Sequence, residues 1–345
     1  MVSAALARNV LIGIAGVAIG AVFMVLALRD IDVAEVRRLA AAVDRAGLVQ
    51  ATALYWVALG LRVLRWQRLL GQLGGAPLIA VAETLVVGYA VNNLLPARLG
   101  EVARAAYAKR RLALGRARVF GTIVVERLLD LLAILTCLIA GLAGVGLVLG
   151  HARLPTFELV ALNAGVLVGV AVLALALLRS ARLARLSLPA AVHAVVDDFR
   201  HGTRSLNRRT ALLVVALTAA VWTCEVLALS RVFAACGAVL GPAEALVVMG
   251  AASLSTLVPT APGYLGTYQL VAVLALQAFG LDGNAGIVAS TAIQAALFGS
   301  VTVVGLAILL ARGTRRAWLT AADRRDRHGA GQSSSENGVK SVSRS

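Results

Sequence analysis

The chain is 345 residues long, 60% hydrophobic and only 14% charged, and its 33 Lys and Arg against 17 Asp and Glu give a formal net charge of +16. Charged residues make up about a quarter of a soluble globular domain, so this chain lacks the charge to coat a soluble surface, and a nucleic-acid binder would explain the basicity but not the apolar excess. Soluble enzymes, secreted domains and disordered chains are therefore excluded, whereas a polytopic membrane protein with its positive loops on one face accounts for both numbers.

A membrane helix needs about 20 predominantly apolar residues. The first such run, 10–28, has no small-residue cleavage site before Asp30 and reads as a transmembrane helix rather than a signal peptide. Residues 31–46 follow, with Val33, Val36, Leu39, Ala40 and Val43 at helical spacing and Arg37, Arg38, Asp44 and Arg45 largely off that face. This is the pattern of an amphipathic helix on the membrane surface, or of a packed helix in an external loop. Runs 47–66, 128–149, 157–178, 210–230 and 286–311 complete a set of six spans.

Two further apolar stretches are interrupted. Segment 78–95 runs into Asn92-Asn93-Leu94-Leu95-Pro96, and segment 243–258 runs into Pro259-Thr260-Ala261-Pro262-Gly263, each followed by a shorter helix. Arg62, Arg65 and Arg68 precede the first, and Arg104, Lys109, Arg110, Arg111, Arg116 and Arg118 follow it. Positive charge marks the cytoplasmic side, so 78–103 is expected to enter the membrane and return. The arginine-rich loop 179–209 and the basic tail 312–345 are then cytoplasmic, as are both termini, in the plasma membrane. Segment 242–281, with only Arg231 nearby, enters from outside. Arg62, Arg65 and Arg68 are expected to snorkel toward cytoplasmic headgroups. The tail beyond Gly329 is rich in Ser and Gly, lacks periodicity and is expected to be disordered.

The two halves repeat weakly. Trp56 to Arg68, then Pro77, Glu83 and Leu95-Pro96-Ala97-Arg98-Leu99-Gly100-Glu101, then span 128–149, lie beside Trp222 to Arg231, then Pro242, Glu244 and Val258 to Gly266, then span 286–311. The expected fold class is an all-α polytopic membrane protein of six transmembrane helices plus two re-entrant broken hairpins in an inverted repeat, the repeats covering 47–149 and 210–311 of a membrane domain 1–311. In such folds the substrate site lies near the bilayer midplane, between broken helices. Broken backbone at that depth must be buried in protein or line a wet cavity.

Charge inside the bilayer is expensive and so is paired or functional. Arg98, Glu101 and Arg104 are three apart and share a helical face; Glu126 and Asp130 are four apart, with Arg127 three before Asp130. Pairing Arg98 or Arg104 with the carboxylates of 126–130 would leave one guanidinium for a phosphate, which its fork binds bidentately. Candidate substrate-binding or gating residues are thus Asn92, Arg98, Glu101, Arg104, Glu126, Arg127 and Asp130. The backbone breaks are Pro96, Gly100, Pro259, Pro262, Gly263 and Gly266, the glycines allowing close approach or positive φ. Cys137, Cys224 and Cys236 lie in or beside apolar runs without paired spacing, and His151, His193, His201 and His328 are scattered. No disulfide, metal site or cofactor is expected.

Asn92-x-Leu94-Leu95-Pro96-Ala97-Arg98-x-Gly100-Glu101-x-x-Arg104, then Val125-Glu126-Arg127-Leu128-Leu129-Asp130, then Pro259-x-x-Pro262-Gly263-x-x-Gly266 together resemble the lysylphosphatidylglycerol synthase transmembrane (flippase-like) family over about residues 10–311. The resemblance implies a protein that handles a phospholipid, hopanoid or polyprenyl-phosphate-linked sugar. Members often carry a Glu after the second break where this chain has Tyr268-Gln269, and the bifunctional synthases add a soluble aminoacyl-transferase domain that has no counterpart after the last span here.

The leading expectation is a flippase or transporter of an anionic lipid or lipid-linked sugar, without enzyme activity. The alternatives are a membrane-embedded transferase on a lipid phosphate, for which no nucleophile motif or nucleotide-sugar loop is visible, and an assembly partner of a cell-envelope enzyme. Membrane lipids are the expected partners and nucleic acid is not.

Overall fold

The computed structural model describes residues 2–71, 76–95, 99–112, 116–149, 208–258 and 260–312. Every regular element among them is helical: α1 (Val2–Ala27), α2 (Val33–Ala41), α3 (Arg45–Gly71), α4 (Leu78–Leu94), α5 (Leu99–Leu112), α6 (Arg116–Leu149), α7 (Arg208–Ala235), α8 (Pro242–Ser255), a 3-10 turn (Pro262–Tyr264), α9 (Thr267–Ala278) and α10 (Gly283–Arg312). Four of these are long and apolar enough to cross a membrane: α3, residues Val119–Gly146 of α6, α7 and α10. They match the expected spans 47–66, 128–149, 210–230 and 286–311, while run 10–28 falls in the apolar helix α1. Span 157–178, the loop 179–209 and the tail 313–345 lie outside the described residues.

The helices turn apolar side chains outward as well as inward. Val57 on α3, Ile139 and Leu142 on α6, and Val303 and Leu310 on α10 are exposed. Exposed apolar surface on this scale fits lipid as the solvent. Arg65, Thr218, Glu126 and Asp130 are buried between helices instead. Such a distribution belongs to a multi-pass, membrane-embedded protein.

Helix α6 starts at Arg116, well before the expected 128, and carries Glu126, Arg127 and Asp130 inside its apolar length. Charges normally end a hydropathic run, but here each is paired with a group on another helix or one turn away. Helix α2 is capped by the Asp32 carboxylate, which accepts from the Ala34 amide at 2.8 Å. Its Val36 and Leu39 pack against the core, so residues 33–41 form a helix seated on the bundle, with Arg38 bonded to Glu35 on the open side. That hydrogen bond holds the Glu35 carboxyl below its usual range.

Helices α3 and α7 form the most extensive pair among the described residues, centred on Leu59, Trp66, Val221, Leu229 and Phe233. Around that axis each apolar hairpin helix lies against a span from the other half of the chain. On α6, a Cβ at Gly141 would sit 2.7 Å from the Val247 amide nitrogen and 2.8 Å from the Ala243 carbonyl of α8. On α10, a Cβ at Gly305 would collide with Ala90 Cβ and come within 3.0 Å of the Val86 carbonyl of α4. Small residues let backbones approach this closely where no hydrophobic drive exists between helices.

The same geometry makes Gly141→Ala an overpacking change, expected to cost about 1–3 kcal/mol. Gly60 on α3 faces open space, so Gly60→Ala should be neutral or gain about 0.5–1 kcal/mol. Thermal unfolding of the two variants in detergent checks this; equal effects would contradict the close α6–α8 contact.

Candidate functional site

Two helix hairpins build the site. In the first, α4 ends at Leu95 in extended conformation and α5 returns beside it. Gly100 lies so close to α4 that a Cβ there would strike the Gly88 carbonyl, and its amide donates to Asn92 Oδ1 at 3.2 Å. In the second, α8 gives way to a turn where Gly263, Tyr264 and Gly266 all have positive φ, of 67°, 60° and 85°. A Cβ on Gly266 would collide with the Gly20 carbonyl of α1. Pro262 opens that turn, while Pro96, Arg98 and Pro259 lie outside the described residues.

A chain of amides braces the second turn. The Gly266 amide donates to Gln269 Oε1 at 2.8 Å, Gln269 Nε2 donates to Gln294 Oε1 at 2.7 Å, and Gln294 Nε2 donates to the Gly263 carbonyl at 2.9 Å. Gln294 belongs to a π-helical segment of α10, Ile293–Phe298. Such segments concentrate at functional sites because they open backbone carbonyls to other donors; here Asn93 Nδ2 reaches the Phe298 carbonyl at 3.2 Å. Gln269 is thus engaged in holding the break.

Between the hairpins lies a cavity of about 330 Å³. Arg62, Glu101, Arg127, Asp130 and Glu225 supply its charge, with Asn92 and Asn93 beside them. Tyr55, Tyr89, Trp222, Tyr264, Tyr268 and Phe298 supply aromatic walls. Asn92, Glu101, Arg127 and Asp130, all singled out by sequence, therefore meet on one cavity. Arg104 borders a smaller recess with Gly100, and Glu126 is turned into the protein.

The charges divide into a multiply bonded group and a looser one. Arg65, fully buried on α3, donates to Asp130 Oδ1 at 2.8 Å, Thr218 Oγ1 at 3.1 Å and Glu126 Oε1 at 3.1 Å. Arg104 donates to the other Glu126 oxygen at 2.7 Å and stacks 3.7 Å over the Trp66 ring, whose indole N–H is held by Thr122. Trp222 Nε1 donates to Asp130 Oδ1 at 3.2 Å. Facing the cavity, Arg127 lies 3.4 Å from Asp130 and 3.5 Å from Glu101, ion-pair separations beyond ordinary hydrogen-bond length. Arg62 pairs with Glu225 across the α3–α7 contact, near the rings of Tyr89 and Trp222. The Nε atoms of all four arginines, Arg62, Arg65, Arg104 and Arg127, are buried and make no hydrogen bond among the described residues.

Arg62 and Arg65 correct the expectation that they snorkel to headgroups: both are buried, and only Arg68 of that trio is exposed. The available signal was Glu225, a lone carboxylate in an apolar span, which requires a cation on a neighbouring helix. Glu83 likewise is paired, with Arg111 at 2.9 Å and with Arg312, fastening α4 to α5 and α10.

Removing Arg65 takes a buried cation from both Glu126 and Asp130, so Arg65→Met is expected to cost about 3–5 kcal/mol. Arg127→Gln loses only long contacts from a side chain about a third exposed, and should leave thermal stability in detergent nearly unchanged. Similar losses in the two variants would refute the division of the network.

The family model for the lysylphosphatidylglycerol synthase TM region matches residues 13–305. The chain is also 26% identical over 334 residues to a protein named glycosyltransferase AglD from Haloferax volcanii, a match covering 85% of this chain and 53% of that protein. The chain thus spans about half the length of this curated relative. With these motifs, helices and this match over most of its length, the protein belongs to the lysylphosphatidylglycerol synthase transmembrane-region family.

Proposed function

We propose that this protein moves an anionic lipid or lipid-linked sugar across the plasma membrane and is not itself an enzyme. The observation that carries the reading is the cavity between two interrupted helices, lined from both halves of the chain, with two guanidiniums on its wall whose hydrogen-bonding capacity is only partly used. Arginine pairs strongly with phosphate oxygens, and aromatic walls suit the apolar and glycosyl parts of such a molecule.

The two halves form an inverted repeat, each hairpin re-entrant, with six spans and both termini cytoplasmic. Reciprocal packing supports this: α8 against Gly141 of α6 answers α4 against Gly305 of α10. Trp56 bonding Ser300 of α10 also answers Trp222 bonding Asp130 of α6. Inverted repeats that rock about a shared central site give alternating access.

The relative named a glycosyltransferase favours a second reading, transfer to a lipid phosphate. Against it, Glu126 and Asp130 are committed to arginines, which disfavours their holding a catalytic cation. Turnover of a nucleotide sugar by purified protein, dependent on divalent metal, would establish that reading instead.

Proteoliposomes carrying labelled phosphatidylglycerol or a labelled polyprenyl-phosphate sugar test transport directly. Movement should exceed that in protein-free vesicles and fall about tenfold or more in Arg127→Gln, the effect of losing one charge-assisted contact of about 1.4 kcal/mol. No movement of either lipid would overturn the proposal.

A further inference from the structure

The charges around the cavity cancel. Among the described residues Arg62, Arg65, Arg104 and Arg127 stand against Glu101, Glu126, Asp130 and Glu225. An anion entering this enclosure would add an uncompensated charge, which burial opposes.

The four carboxylates are held unequally. Glu126 is clamped by two guanidiniums, and Asp130 accepts from both Arg65 and Trp222. Among the described residues Glu101 has only its long contact with Arg127, and its side chain is 25% exposed, so water supports its charge. Glu225 is different: its side chain is 12% exposed and, among the described residues, its ion pair is with Arg62 alone. Arg62 is 7% exposed, lines the cavity and has a buried Nε without a hydrogen-bond partner among the described residues. The pair is therefore a cavity-lining cation with a single carboxylate partner, joined to a carboxylate that has no second cation among the described residues.

We infer that Arg62 and Glu225 form an exchange site for a lipid phosphate, in which binding of the anion is accompanied by protonation of Glu225. The hydrogen bond from Arg62 Nη1 to Glu225 Oε1 breaks, a hydrogen bond from the guanidinium to a phosphate oxygen forms, and a proton from solvent joins the released carboxylate. One negative charge enters with one positive charge, so the cavity remains balanced. Other charged and titratable groups line the same cavity as Glu225. Arg62 and Tyr55 come from α3, Tyr89 from α4 and Tyr268 from α9, while α6 brings Arg127 and Asp130 and α5 brings Glu101. Arg127, the other arginine on this wall among the described residues, has its ion pairs with Glu101 and Asp130 rather than with Glu225. The inference rests on the transport reading and supplies its coupling: a proton would travel with each lipid.

Calorimetric titration of the purified full chain tests it, using dihexanoyl phosphatidylglycerol in one arm and glycerol phosphate in the other. Repeating each titration at one pH in two buffers of different ionisation heat counts the protons bound with the anion. The wild type should take up about one proton per lipid phosphate. Glu225→Gln should still bind with no proton uptake, and Arg62→Gln should lose binding at least about tenfold. The double variant Arg62→Gln/Glu225→Gln, which removes both charges and avoids stranding either, should stay folded by thermal melting and show neither binding nor uptake. Tighter binding of the lipid than of glycerol phosphate is expected. Equal affinity, no binding in either arm, or the same proton count in wild type and Glu225→Gln would overturn the inference. Proton-linked binding without lipid movement in vesicles would overturn the transport reading alone.

Discussion

Glu126 and Asp130 lie one turn apart on a helix that is otherwise apolar enough to cross a membrane, and a carboxylate in that setting needs counter-charge and hydrogen-bond donors. The arrangement around them follows from that need. Arg65 comes from α3, Arg104 from α5, Thr218 and Trp222 from α7, and Arg127 from α6 itself. Four helices are thus fixed in register by two acidic side chains. These ties add to the apolar core that Val81, Leu85 and Ala108 of the α4–α5 hairpin share with Leu59, Trp66 and Val221 of the α3–α7 axis.

Close backbone approach is the second condition, and glycine meets it. Gly100 lets α5 lie against α4, Gly141 and Gly305 let each hairpin helix lie against a span, and Gly266 brings the second break against α1. The interrupted backbone groups are then satisfied by side-chain amides, Asn92 at the first break and Gln269 with Gln294 at the second, while Asn93 reaches the Phe298 carbonyl in the π segment of α10. A cavity can persist between the hairpins because its walls are rigidly tied at both breaks. Its contents are polar on the α3–α6 side and aromatic toward Phe298, around which Tyr55, Tyr264 and Tyr268 gather.

The multiply bonded and loose parts of the charge network imply different work. Arg65 and Arg104 hold the fold, since their partners are buried and multiply bonded. Arg62 and Arg127 face open volume, with contacts that are single or long. The proposed transport would draw on both: a scaffold stable enough to survive in the membrane, and a cation on the cavity wall with few partners to exchange.

Much of this was legible in the sequence. Hydropathy set the all-helical, multi-pass character, because lipid demands long apolar helices, and the Pro and Gly clusters marked both breaks, because those residues interrupt helices by their own covalent geometry. The motif around Glu126 and Asp130 flagged a site, since charge in an apolar run is costly wherever it lies. Arg62 and Arg65 were misread, because a basic residue near a helix end has the same local pattern whether it reaches headgroups or a buried carboxylate. The pairing of Arg62 with Glu225, 163 positions away, the seat of α8 on Gly141 and the π-segment of α10 were decided only by tertiary structure. A sequence dictates which groups must be paired or packed, but partner choice depends on distances between helices that no local pattern encodes.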